Sequence, residues 1–128
     1  MAAERTTTYF FNLQKFMEVI IRQARKEEAS QIAKLFMLAW PVDDILESNG
    51  LTCKQLHESI TLIAANKETI YSYENTIVAE IDGKVVGATC AYDGADYLRL
   101  KQPIVDALGP NCGFAKMKET EAGEFYLD

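Results

Sequence analysis

A two-residue Asp82-Gly83 step between two apolar, β-branched runs is the feature that most limits what this chain can become. Asp-Gly supplies two successive positive-φ positions, which a type I′ turn requires and most residue pairs resist. Thr76 to Ile81 and Lys84 to Tyr92 are therefore read as the arms of an antiparallel hairpin. Counting outwards from the turn, Ile81 faces Lys84, Ala79 faces Val86 and Ile77 faces Ala88. That register gathers Ile77, Ala79, Val86, Ala88 and Cys90 on one face, and Val78, Glu80, Val85, Gly87 and Thr89 on the other. Both sets are mostly apolar, so the hairpin is expected to be covered on each side, as in a layered α/β domain. Cys90 then reads as a small core residue rather than a nucleophile.

The pattern upstream of the hairpin is a strand followed by helices. Glu18-Val-Ile-Ile-Arg22 is short and β-branched, and Ala24 closes it. Glu27 and Glu28 open a helix whose apolar positions are Ala29, Ile32, Ala33, Phe36, Ala39 and Trp40. Arg25 and Lys26 stand where a capping Ser or Asp is usual, and Pro41 ends the helix. Residues 42–50 form a short helical turn closing at Asn49-Gly50. Thr52-Cys-Lys-Gln55 is a capping box, with Leu51 and Leu56 placed as its hydrophobic staple. Leu56, Ile60, Ile63 and Ala64 carry the buried stripe onward. Beyond the hairpin, Tyr97, Leu100, Ile104 and Leu108 mark a helix over 96–108 that Pro103 must kink or divide. Gly109-Pro110 stops it, residues 111–122 read as a loop containing Gly113, and Glu124 to Asp128 opens an alternating strand.

Composition narrows the function classes. At 128 residues the chain suits one domain, and its net charge of −6 disfavours phosphate-backbone binding. Nucleic acid is thus not an expected partner, whereas a small cationic amine is favoured by the sign of the field. Three scattered cysteines, Cys53, Cys90 and Cys112, fit a reducing compartment better than a disulfide framework. With His57 as the single histidine and no Cys/His pair at ligand spacing, no metal site is expected. Asn12, Gln14, Lys15 and Glu18 interrupt the aromatic cluster Tyr9-Phe-Phe11, so residues 1–16 do not form a signal peptide. No run approaches the roughly 20 apolar residues of a membrane span, and the expected location is cytoplasmic.

Common catalytic motifs are missing. The sequence has no Gly-x-Gly, no phosphate loop before Gly83-Lys84 and no Gly-x-Ser-x-Gly elbow. His57 sits on a helix beside Leu56, where it reads as a surface residue rather than a base.

The order of elements is more informative. The strand Val19-Ile-Ile-Arg-Gln-Ala24, its acidic-start helix to Ala39-Trp40, and the hairpin Thr76 to Gly87 resemble the opening of GNAT superfamily N-acetyltransferases. The phrase Ala79-Glu-Ile-Asp-Gly-Lys-Val-Val-Gly87 is the strongest part, and Glu124 to Asp128 resembles the start of that family's fourth strand. The resemblance implies a partial GNAT fold of α/β (α+β) class and three-layer α/β/α type. Its order is strand, two helices, two strands, a helical insert and the start of a fourth strand. Residues 17–128 are then the N-terminal part of the domain, and residues 1–16 an extension preceding Met17.

The resemblance further implies transfer of acetyl from acetyl-CoA to an amine, through direct attack on the thioester. The family's Arg/Gln-x-x-Gly-x-Gly/Ala loop, whose amides hold the pyrophosphate, occurs nowhere in these residues. Acetyl-CoA is therefore the family's co-substrate but is not expected to bind this chain tightly, and the chain alone is expected to be inactive. On the acceptor side, Trp40 and Pro41 match the loop bordering the acceptor pocket, and Tyr92, Asp93 and Asp96 match its other wall. Glu124, Tyr126 and Asp128 alternate onto one strand face, with Tyr126 towards substrate and Glu124 or Asp128 as candidate general base. Plainer readings stand beside these: Trp40 as a helix-end core anchor, Asp93-Gly94 as a turn, and Glu124 and Asp128 as solvated positions. Two further alternatives are a non-catalytic α/β ligand-binding or interaction domain, and a homodimer paired across the edge of the fourth strand.

Overall fold

The computed structural model describes residues 18–109 and 122–127. Their strands are β1 (Ile20–Gln23), β2 (Thr76–Ile81), β3 (Lys84–Asp93) and β4 (Phe125–Leu127). Their α-helices are α1 (Ala29–Ala39), α2 (Val42–Asn49), α3 (Cys53–Ala65) and α4 (Tyr97–Leu108). The strands form an antiparallel sheet in the order β1-β2-β3-β4. The element order is the one anticipated, and the 42–50 turn is a full helix closed by Gly50 in the left-handed region. The Met17 boundary, residues 1–16, Cys112, Gly113 and Asp128 lie outside the described residues.

The hairpin turn is type I′ in character, with Asp82 at φ 50° and Gly83 at φ 77°. Its register departs from simple counting. Ile81 pairs with Lys84 and Glu80 with Val85, but Ala79 then pairs with Gly87, so Val86 is the extra residue of a β-bulge. Past the bulge, Val78 faces Ala88 and Ile77 faces Thr89 rather than Ala88. A one-residue slip exchanges faces, so the apolar sets named above are corrected. Thr76, Val78, Ala88 and Cys90 share the helix-covered face, where Val78 and Cys90 are buried. Ile77 (47% exposed) and Val86 (49%) are not in the core. Cys90 keeps its core assignment. Among the described residues the helices cover one face of the sheet, and Ile21 (66% exposed) and Ile77 look out from the other.

The core forms where the helical stripes predict it. Ala29, Ile32, Ala33 and Phe36 of α1 meet Leu56, Ile60, Ile63 and Ala64 of α3, and α1 also packs on β3. Tyr97, Leu100, Ile104 and Leu108 of α4 complete the cluster. Ala39, at the end of the α1 stripe, is exposed. The α3 capping box closes as drawn: Gln55 N–H donates to Thr52 Oγ1 (3.1 Å), and Thr52 N–H donates to Gln55 Oε1 (2.9 Å). Helix α4 runs through Pro103 as one element, leaving the Arg99 carbonyl without its usual helical donor.

Two devices lie outside the periodic pattern. Ahead of α1 is a 3₁₀ turn, Lys26–Glu28, whose Glu28 Oε1 accepts the Arg25 backbone N–H at 2.8 Å. Glu28 thus replaces the missing capping side chain. The link from α3 to β2 is stitched by buried hydroxyls: Thr69 Oγ1 donates to the Ile63 carbonyl, and Thr76 Oγ1 to the Ser72 carbonyl, both at 2.8 Å. Buried polar groups need such partners, and here they fix a connection with little apolar patterning.

Candidate functional site

At the end of the sheet where β3 stops and β4 begins, the backbone makes a tight corner. Asp93 pairs with Phe125 across the ladder, and Gly94 N–H donates to the Glu124 carbonyl at 2.7 Å. Asp93 Oδ1 accepts Ala95 N–H at 2.9 Å, so the turn reading of Asp93-Gly94 holds. The chain then enters α4, which sets Asp96 and Arg99 beside the corner. A cavity of about 340 Å³ opens there, bordered by Glu68, Glu74, Tyr92, Asp93, Asp96 and Arg99. Tyr92 is buried, and its ring stacks on Tyr97 with centroids 6.2 Å apart.

Four carboxylates against one guanidinium give this cavity a negative lining. Arg99 binds Glu68 directly and Asp96 at 3.2 Å, while Lys67 reaches Glu74 at 3.5 Å. These are exposed pairs, so each contributes little stability and leaves the local excess of negative charge in place. Such a lining suits a cationic or amine-bearing guest.

Of the residues singled out from the sequence, Tyr92, Asp93 and Asp96 come together in this cavity. The Glu124 backbone joins the same corner and its residue is exposed. Tyr126 pairs with Tyr92 in the β3–β4 ladder. The sequence reading missed Glu68, Glu74 and Arg99, because they come from a loop, a short 3₁₀ turn and a helix that share no sequence period.

Trp40 lies elsewhere. Its ring is 6.4 Å from Phe36, nearly parallel, and 5.1 Å from Tyr71. It is half-buried against the core, so the anchor reading holds. The same residue also borders a groove of about 470 Å³ with Met37, Leu38, Pro41, Val42, Asp43 and Asp44. Pro41 turns the chain from α1 into α2, its carbonyl accepting Ile45 N–H at 3.1 Å. Trp40 and Tyr92 thus border different cavities.

Two other polar clusters are structural. His57 Nε2 lies 3.1 Å from the Ser30 carbonyl and 3.4 Å from Ser30 Oγ. A carbonyl only accepts, so Nε2 carries the proton in that bond and is not the base for the Ser30 hydroxyl. The arrangement ties α3 to α1. Arg22 donates to both Glu28 oxygens, at 2.8 and 2.6 Å, and to Glu80 at 3.3 Å. Hydrogen bonding to Glu28 raises the Arg22 pKa and lowers that of Glu28 against the opposing effect of desolvation. Among the described residues, no group of three or more His, Cys, Asp or Glu side chains is placed to hold a metal ion. Nor is any helix among them long and apolar enough to cross a membrane.

No family model and no curated protein matches the sequence. Solved structures do match it. The N-acetyltransferase from Staphylococcus aureus Mu50 is 27% identical with a TM-score of 0.61, covering 84% of this chain and 62% of its own. A second acetyltransferase crystal structure is 23% identical with a TM-score of 0.59, covering 80% of this chain and 52% of its own. This chain therefore spans less than two thirds of the length of either. Its architecture is that of a partial GNAT-like acetyltransferase fold.

Proposed function

We propose that these residues form the acceptor side of an N-acetyltransferase, which in its complete form moves acetyl from acetyl-CoA to an amine. The observation that carries this reading is the likeness to an N-acetyltransferase over 84% of the chain. The acidic corner at the start of β4 supports it. An amine must arrive as an ammonium ion in the physiological range and lose a proton before attacking a thioester. Carboxylates at that corner attract the cation, and Glu124 or Asp128 is the proton acceptor in this proposal. Tyr92, Asp93, Asp96 and Tyr126 form one wall of the acceptor region in this proposal, and Trp40 lines a separate groove at the α1–α2 turn.

The transfer itself breaks the thioester C–S bond and forms an amide C–N bond, leaving the thiol of coenzyme A. Stabilising the oxyanion of that step calls for backbone donors aimed at the carbonyl oxygen. Holding the pyrophosphate calls for a glycine loop at a helix N-terminus, which no segment of these 128 residues supplies. The 128 residues alone are accordingly inactive in this proposal, and the protein acts in the cytoplasm. The test is the reading frame beyond Asp128. It should carry Arg/Gln-x-x-Gly-x-Gly/Ala within about twenty residues of that point. A continuing frame without that loop would remove the transferase reading and leave a non-catalytic α/β domain.

A further inference from the structure

We propose that residues 9–17 dock on the face of the sheet that the described helices leave open. The strand register defines that face. Ile21 pairs with Ala79, and Ile77 pairs with Gln23 and Thr89, so these positions lie opposite the side that holds Val78 and Cys90. Ile21 and Ile77 are exposed there although both are large and apolar. Ala79 and Gly87, paired with each other, and Ala91 add small residues to the same face, which makes it a trough. A groove of about 450 Å³ follows it, with Ile21, Gln23, Ile77 and Ala91 in its lining. A contiguous apolar surface of this kind marks a contact, because water is a poor cover for it.

Position and pattern select the occupant. Residues 1–17 lie outside the described residues and join at Glu18, two residues before β1, the strand that carries Ile21. At helical spacing, Tyr9, Phe10, Leu13, Phe16 and Met17 fall within one arc, and Phe11, Asn12, Gln14 and Lys15 fall outside it. Such a stripe needs an apolar surface to lie on. Tyr9, Phe10 and Phe16 alone bring roughly 150–250 Å² each to be covered. A stretch of this length spans about 13 Å at helical rise, and β1 to β3 measure about 10 Å across, so the stripe can cross all three strands. The tether also favours this segment over a second copy, because a short linker gives it a high effective concentration at the face. The inference stands apart from the transferase reading, and none of its outcomes bears on acetyl transfer.

Proximity is the test, measured on the 128-residue chain with Cys53→Ser and Cys112→Ser as background. Leu13→Cys paired with Ile77→Cys should be joined by a short bismaleimide within one copy, read by mass spectrometry of the linked peptides. Leu13→Cys paired with Leu62→Cys should not be joined, since Leu62 is exposed on α3, across the sheet from the open face. As a second readout, Phe10→Ser, Leu13→Ser and Phe16→Ser together should raise the emission of bound anilinonaphthalene sulfonate roughly threefold by uncovering the face. Phe11→Ser, outside the arc, should leave that emission near the parent's. Equal linking of Leu13→Cys to both partners, or equal emission from the triple and Phe11 variants, would overturn the proposal. So would links formed only between copies, which would give the face to a second copy. No link at all would also overturn it and leave the face to chain beyond residue 128. If the triple variant fails to fold by circular dichroism, the linking pattern decides alone.

Discussion

Glu28 concentrates several roles in one carboxylate. It accepts both terminal nitrogens of Arg22, caps the turn before α1 through the Arg25 N–H, and ties that turn to the β1–β2 edge of the sheet. Hydrogen bonding from Arg22 holds its pKa below the ordinary glutamate value of 4.5. Below that value the unfolded chain binds a proton that the folded chain refuses. Stability from this group is therefore fully present above pH 4.5 and lost as pH falls through the depressed folded value. Glu28→Gln should cost about 2 kcal/mol at neutral pH and flatten the acid limb of the stability profile. Urea midpoints measured across the acid range check this, and an acid limb as steep as the parent's would contradict it. The acidic first turn was legible as a helix start, but the Arg22 partner was not, because ion pairs across a turn obey no period. The proposed catalytic role of Glu124 or Asp128 belongs to the same scale. In the complete enzyme, Glu124→Gln or Asp128→Asn should slow amine acetylation and change its pH dependence. If kcat/KM is unchanged across pH for both, neither is the base.

At the level of elements, local chemistry decided most of what could be foreseen. Thr52 and Gln55 close their box because both partners lie within one helical turn, and the sequence shows both. Thr52→Ala should destabilise the chain by about 1 kcal/mol, read as a lower urea midpoint at constant slope. A change below a few tenths would mean that Gln55 or solvent replaces the cap. The hairpin illustrates the limit of counting. Asp82-Gly83 fixes the turn, yet the bulge at Val86 moves every later pair by one residue. Strict alternation carries no mark of an inserted residue. Gly87 beside it is the kind of strand glycine that often accompanies a bulge. The same slip buries Val78 and exposes Ile77, reversing the faces first assigned to them. The α3–β2 link was opaque for another reason, since its order comes from the Thr69 and Thr76 hydroxyls donating to carbonyls six and four residues back, respectively.

Across the molecule, the order of elements was legible because each helix carries its own buried stripe and the turn its own signature. The candidate site was legible only in part. Tyr92, Asp93 and Asp96 are near neighbours in sequence, so their meeting needs no long-range information. Glu68, Glu74 and Arg99 reach the same cavity through tertiary packing, as shown by the Ile70 N–H donating to the Leu100 carbonyl at 3.1 Å. Trp40 was grouped with Tyr92, and the structure gives the two residues separate cavities. The central proposal is that these residues form the acceptor side of an acetyl-CoA-dependent transferase. The most direct measurement is acetyl transfer from acetyl-CoA to a primary amine, followed by mass spectrometry. It would compare the 128-residue chain with the polypeptide that carries the frame onward. The account predicts acetylated amine from the longer polypeptide and none above background from the shorter. Transfer by the 128 residues alone, or none by a longer polypeptide that folds and carries the glycine loop, would contradict it.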